Sequence, residues 1–418
     1  MKKIASDFTE LNHQHSHPAI FMLLVLPFGI LMGYVTVTFS YLFSKAGVPL
    51  EHIAALVGAS TLPHVIKFLW APLVDTSLSL KKWYILSNFV TAAGIFTAGI
   101  LPIKESSLPI LTSIIIFSNV AASFLGSAAN GLSAYDTPAE LKGRVSGYIQ
   151  AGVLGGSGIG GGLGLWLTQH LNSVWISGTI LAVSCLLCCF GLFFVNEAIS
   201  TIRAERMWKT FNNLYTDIWG SLKAEMGFLA IFLCFLPLGT GAASNLWSAI
   251  AGDWNASANT VAVATGVFGG IITSFGCLVG GWICDRMNRK MAYVIFGFTQ
   301  VICAIAMAFS PQTEIMYIIW TSFYAISTGL AYAGFSAFVF EAIGRGAAAT
   351  KFAVYASLSN LPIYYMTIGD GWTHTHFGPQ GMLYTEAAIG IIGIILFLSV
   401  WKIVTRKKAV AVANFLFN

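Results

Sequence analysis

The sequence predicts an all-α membrane protein with twelve transmembrane helices in two pseudo-symmetric six-helix bundles, and three observations carry that reading. Of 418 residues, 56% are hydrophobic and only 9% charged, where soluble chains carry roughly 25% charge; mean hydropathy is +0.75. Apolar runs of about 20 residues, the length that crosses a bilayer, recur from end to end. Sequence motifs also repeat at half the chain's length. So few charges cannot cover a water-facing surface, which excludes a soluble enzyme. A net charge of +5, with 22 Lys and Arg scattered among short loops, excludes a nucleic-acid partner.

The runs follow in order. Residues 1–17 read as a tail, and its His13, His15 and His17 offer at most weak metal binding beside the default of a solvated segment. An N-terminal bundle, 18–195, holds spans from Pro18 to Tyr41, Ile53 to Leu73, Trp83 to Leu101, Leu108 to Leu132, Val145 to Leu167 and Val174 to Val195. A linker, 196–225, places Trp208, Phe211, Tyr215 and Ile218 at helical spacing beside Arg203, Arg206 and Lys209, which suits an amphipathic surface helix or a plain solvated connector. The C-terminal bundle, 226–404, runs Met226 to Ile250, Val261 to Cys284, Met291 to Phe309, Ile315 to Phe340, Thr350 to Ile368 and Met382 to Val404, and 405–418 forms a second tail.

With both tails in the cytosol, nineteen of the 22 basic residues lie on that side; Lys45 and Lys104 fall outside and Lys67 within a span. The positive-inside bias therefore orients a multi-pass protein of the bacterial inner membrane, read as a monomer, with no cleavable signal peptide. Seven Cys, all within spans, read as small core residues rather than disulfides or metal ligands. Glycines 152, 156, 160 and 164 form a small-x-x-x-small ridge that calls for close packing on a partner helix. The "GSGIGGG" stretch lacks the preceding strand a phosphate loop needs.

The halves echo one another. "FLWAPLVD" (68–75) closes the second span and "GGWICDRMNRK" (280–290) the eighth; their acids, Asp75 and Asp285, stand 210 residues apart, half the chain to within a residue. Asp136 and Glu341, closing the fourth and tenth spans, are 205 apart, each followed by basic residues. Two parallel six-span repeats produce such spacing. Gly281, Asp285, Arg286, Arg289 and Lys290 resemble the G-x-x-x-D-R-x-G-R-[RK] signature of the major facilitator superfamily, with Asn288 in place of the second Gly. "KFLWAPLVD" (67–75) and "ATKFAVYASLSNLP" (349–362) are similar to segments of AmpG-type muropeptide permeases and their relatives, the peptide, acetyl-CoA and drug transporters.

That resemblance implies a major facilitator fold and a secondary active transporter: proton-coupled import of a cell-wall fragment, siderophore or similar solute. Efflux of metabolites or drugs, or a membrane-embedded transferase, are the alternatives. The implied partners are a small-molecule solute, protons and the lipid bilayer; no cofactor, metal or catalytic residue is expected. A cavity lined by the first, fourth, seventh and tenth spans would draw on Tyr34, Thr38, Asn119, Asn130, Asn245, Trp247, Tyr324 and Tyr332, a polar, aromatic and uncharged set. Asp75, Asp136, Asp285, Arg286, Arg289, Lys290 and Glu341 would form a cytosolic gate, in which acids cap neighbouring helices and pair with bases. His64, eleven residues before Asp75 and so about 16 Å deep, with Lys67 one turn away, is the expected proton-coupling pair. A neutral His bonded to a neighbour, and a Lys that snorkels, are the plainer readings of these two.

Overall fold

The computed structural model describes residues 16–70, 73–74, 77–137, 141–171, 173–197, 216, 220, 225–343 and 348–417. Asp75, His13, His15 and the linker residues singled out above, Arg203, Arg206, Trp208, Lys209, Phe211, Tyr215 and Ile218, lie outside them. Every regular element among the described residues is helical.

The first run is α1 (Pro18–Gly33), a π-helical turn (Tyr34–Phe39) and α2 (Ser40–Lys45). Pro18, which lacks the amide proton a first helical residue leaves unused, opens it, and the His17 ring accepts the Ala19 N–H at 3.2 Å. There follow α3 (Leu50–Ile66), extended by a 3₁₀ turn over Lys67–Leu69, α4 (Leu80–Ile100) and α5 (Leu108–Asp136). The fifth run is α6 (Lys142–Gly158), a π-turn (Ile159–Leu163) and α7 (Gly164–Leu171); the sixth is α8 (Val174–Leu187), which tightens to 3₁₀ over Cys188–Phe194. In the second half come α9 (Glu225–Leu233), α10 (Ala258–Val261), a π-turn (Ala262–Val267), α11 (Phe268–Cys284), α12 (Arg289–Phe309), α13 (Glu314–Ile343), α14 (Ala348–Leu358) and α15 (Asn360–Phe417).

Two elements depart from the sequence expectation. The seventh run is helical only through α9; beyond it Pro237 removes an amide donor, Gly239 and Gly241 turn left-handed (φ 66° and 67°), and two short 3₁₀ turns, Ala242–Asn245 and Ala251–Trp254, replace the helix. Non-helical backbone at membrane depth survives only inside protein, and Ala242, Asn245, Leu246, Trp247, Ile250 and Trp254 are all buried. The eleventh run does not stop at Ile368. Its helix continues within α15 to Gly378 (φ 73°), where the chain reverses and Pro379 opens the twelfth run. Nine stretches among the described residues are long and apolar enough to span a bilayer. The shortfall from twelve has physical sources: glycine dilutes the fifth run, the seventh is broken, and the last two count as one across Gly378.

Glycines let the helices approach. The 152–164 ridge packs on α1, where a Cβ added at Gly160 would stand 1.9 Å from the Ile30 carbonyl oxygen. Between the halves, α3 packs on α15, and the π-turns Ile159–Leu163 and Ala262–Val267 cross so closely that a Cβ on Gly266 would lie 2.6 Å from Gly162 Cα. The buried apolar residues are distributed unequally. At the far end, where Lys45, Glu51 and Glu314 lie, residues of both halves join in one continuous core. At the end that carries Ser16 and Asp136, the tail end, the first half has its own separate cluster around Phe21, Tyr84, Leu125 and Val195.

Candidate functional site: the seam between the two halves

At the far end the halves are joined by polar contacts as well as by packing. The Ser44 hydroxyl donates to the Ala249 carbonyl, and the Glu51 N–H donates to Thr375 Oγ1 at 3.0 Å. That amide is an orphan donor of the first turn of α3, whose N-cap residue, Pro49, supplies no side-chain cap. Around it stand His376, 3.9 Å from Glu51, and His52, 2.9 Å from Glu105; His374 bonds Asp253 at 2.7 Å. These partners for His374 and His376 are not apparent from sequence spacing.

At the tail end the expected gate is only partly assembled. Asp285 and Arg286 are exposed. The Asp285 carboxylate makes no ion pair or hydrogen bond among the described residues, while Arg286 folds over the Trp282 ring at 3.9 Å and donates to the Trp282 carbonyl at 3.1 Å. Asn288, the departure from the family signature, accepts the Lys290 and Met291 N–H groups and so caps α12. Arg289 and Lys290 both lie 3.7 Å from Glu341, closing α12 onto α13 within the second half. Asp136 accepts from Ser16 and from Asn196.

Between these ends the expected cavity residues separate into two groups. In the first half, His64 Nε2 meets Asn119 Oδ1 at 3.1 Å, with the Phe28 ring 5.0 Å away, and Trp70 donates to Ser123 at 2.8 Å. Lys67 sits where α3 gives way to 3₁₀, a cation at a helix C-terminus. Tyr34 and Thr38 do not face a cavity: Tyr34 packs on Phe39 near Gly99 and Gly178, and the Thr38 hydroxyl contacts the Gly160 and Gly161 carbonyls at 3.0 and 3.1 Å. Those carbonyls belong to the fifth-run π-turn, whose shifted hydrogen bonding leaves acceptors to be satisfied. Asn130 is exposed toward the tail end, and Tyr332 is 38% exposed.

In the second half Asn245 donates to Thr367 at 3.1 Å, and Trp247 stands edge-on to Tyr324 with ring centres 5.1 Å apart. Tyr324 leads to a feature the sequence reading missed: its hydroxyl donates to Glu386 Oε1 at 2.5 Å, and Glu386 lies in hydrogen-bonding reach of Asp370. Asp370 is fully buried and Glu386 6% exposed. Ending the eleventh span at Ile368 puts Asp370 outside the membrane. Placing the turn at Gly378-Pro379 instead sets each acid eight residues from it, about 12 Å deep on adjacent helices. A separate groove of about 380 Å³, on the seam between the fifth and eighth runs, is lined by Leu154, Ile159, Val267 and Ile271 and offers Ser274 as its polar side chain. It is too apolar to be the polar solute site.

Residues 20–365 match the family model described as Major Facilitator Superfamily. The chain is 23% identical over 409 residues to the anhydromuropeptide permease of Escherichia coli (strain K12), covering 92% of this chain and 80% of the relative. Among solved structures, the nucleoside transporter NupG superposes with a TM-score of 0.70 at 13% identity, covering 92% of this chain and 98% of that one. A D-xylose-proton symporter gives 0.68 at 14%, covering 92% and 97%.

Proposed function

The chain belongs to the major facilitator superfamily, and from that premise we propose that it is a proton-coupled importer of a cell-wall fragment, siderophore or similar solute, working by alternating access. The observation that carries this reading is the unequal state of the two ends. Polar and apolar contacts bind the halves at the far end, whereas at the tail end Asp285 has no ion-pair partner among the described residues and the first half keeps a separate core. With the tails in the cytosol, as the basic residues favour, this is an inward-facing state. The unwound seventh run supports a solute site beside Asn245 and Trp247, since broken helices expose backbone groups where substrates bind. The likeness to an anhydromuropeptide permease makes amide- and hydroxyl-rich cell-wall fragments the first solutes to test, and an uncharged, aromatic surface suits them.

The test is uptake of radiolabelled anhydromuropeptide into right-side-out vesicles with an imposed inward proton gradient. Accumulation above the equilibrium level that an uncoupler abolishes supports the proposal. Extrusion driven by the same gradient would replace import by efflux, and no movement of the label would remove the cell-wall fragment from the solute class.

A further inference from the structure

We propose that the proton is carried by the Asp370–Glu386 carboxyl pair held under Tyr324, a site in the second half that lies off the His64–Asn119 contact. The proposal deepens the transport reading and rests on it. Its geometry is a closed cage on three runs: Asp370 before the Gly378 turn, Glu386 after it, and Tyr324 on α13. Among the described residues neither Asp370 oxygen has a donor, nor does Glu386 Oε2, and all three atoms are shut off from solvent. No Lys, Arg or His makes an ion pair with either acid among the described residues. Beside Tyr324, the buried Trp247 indole N–H also lacks an acceptor. Two carboxylates in reach of one another, without a cation, cannot both remain ionised in a buried site, because like charges that close repel and neither is solvated. The simplest closure is a proton between Asp370 and Glu386 Oε2, with Tyr324 donating to Oε1 and stabilising the one negative charge that remains.

The other titratable groups facing the cage are few. Cys303 on α12 approaches Tyr324; Asp253 and His374 form their pair one helical turn toward the far end from Asp370; and Glu51 on α3 faces Gly371. His374, four residues from Asp370 on the same helical face, stands with its partner Asp253 between the cage and the far end. Opening that end separates Thr375 from Glu51 and wets this route, so the proton is loaded from the far side and released once the cage faces the cytosol. His64, by contrast, has a cation, Lys67, as its charged neighbour.

The test is infrared difference spectroscopy on the purified protein in nanodiscs, with and without deuterium exchange. A protonated-carboxyl C=O band is expected in the wild type at neutral pH, diminished in Asp370→Asn and in Glu386→Gln, lost in the double variant, shifted in Tyr324→Phe, and unchanged when choline replaces sodium. A band equal in the wild type and the double variant, or one removed by sodium, would overturn the proposal. In vesicles, Asp370→Asn and Glu386→Gln should lose gradient-driven accumulation of anhydromuropeptide while retaining exchange between equal pools. Variants that still accumulate the solute against its gradient would place the coupling elsewhere, at His64 first. If the wild type moves no anhydromuropeptide, the solute reading fails, yet the carbonyl band still decides the proton site.

Discussion

Thr38 and Glu341 show how differently single polar residues act here. Thr38 is buried and its hydroxyl serves the carbonyls of a π-turn, so Thr38→Val leaves acceptors unsatisfied in a dry site and is expected to cost about 1–2 kcal/mol. A lowered unfolding temperature in detergent, with solute affinity unchanged, is the outcome that checks it. Lower affinity at unchanged stability would return Thr38 to the cavity. Glu341 is 41% exposed and pairs with two bases at 3.7 Å, so Glu341→Gln should change stability by less than about 1 kcal/mol. The same sequence that marked both residues as polar could not tell them apart, because a hydroxyl looks alike whether it faces solute or a neighbouring helix. Asp370 was hidden for another reason. Hydropathy ends a span at the first acid, so a buried acid trims its own helix from view.

The elements were legible where composition alone decides them and obscured where backbone geometry does. Length and apolarity located most runs, and the 152–164 glycines foretold a close approach whose partner, α1, only the structure supplies. The unwinding after α9 was written in Pro237, Gly239 and Gly241, but a hydropathy window does not weigh turn chemistry. Two junctions between elements carry testable weight. The N-terminus of α3 is capped by Thr375 from the other half, so closing the far end completes a helix cap. Thr375→Val should weaken that closure by about 0.5–1.5 kcal/mol, favouring the state open at the far end by several-fold. Labelling of a cysteine introduced at Leu50, buried beneath the contact, should speed up accordingly, and an unchanged rate would mean the bond is incidental. Where the π-turns cross, Gly266→Val drives a branched side chain into Gly162 backbone, an overpacking cost of about 1–3 kcal/mol. Reduced transport at normal membrane insertion is expected, while unimpaired transport would show that the seam relaxes at no cost.

Over the whole molecule, the half-chain repeat announced two similar bundles, yet the repeat alone is silent about which end is closed. That difference lies in contacts between residues more than 200 positions apart, such as Ser44 with Ala249, and in the pairing of Arg289 and Lys290 with Glu341 while Asp285 has no ion-pair partner among the described residues. Under the proposed alternating access these ends exchange states, and a bound proton would shift the balance only by its different affinity for the two. Distances between spin labels in nanodiscs test this most directly, with one pair across the far end at Lys104 and Gln312 and another across the tail end at Ser146 and Met287, all exposed positions. The account predicts two populations for each pair, with pH moving them in opposite senses, so that the far-end distance lengthens as the tail-end distance shortens. Single, pH-independent distances at both ends, or distances that rise and fall together, would contradict it.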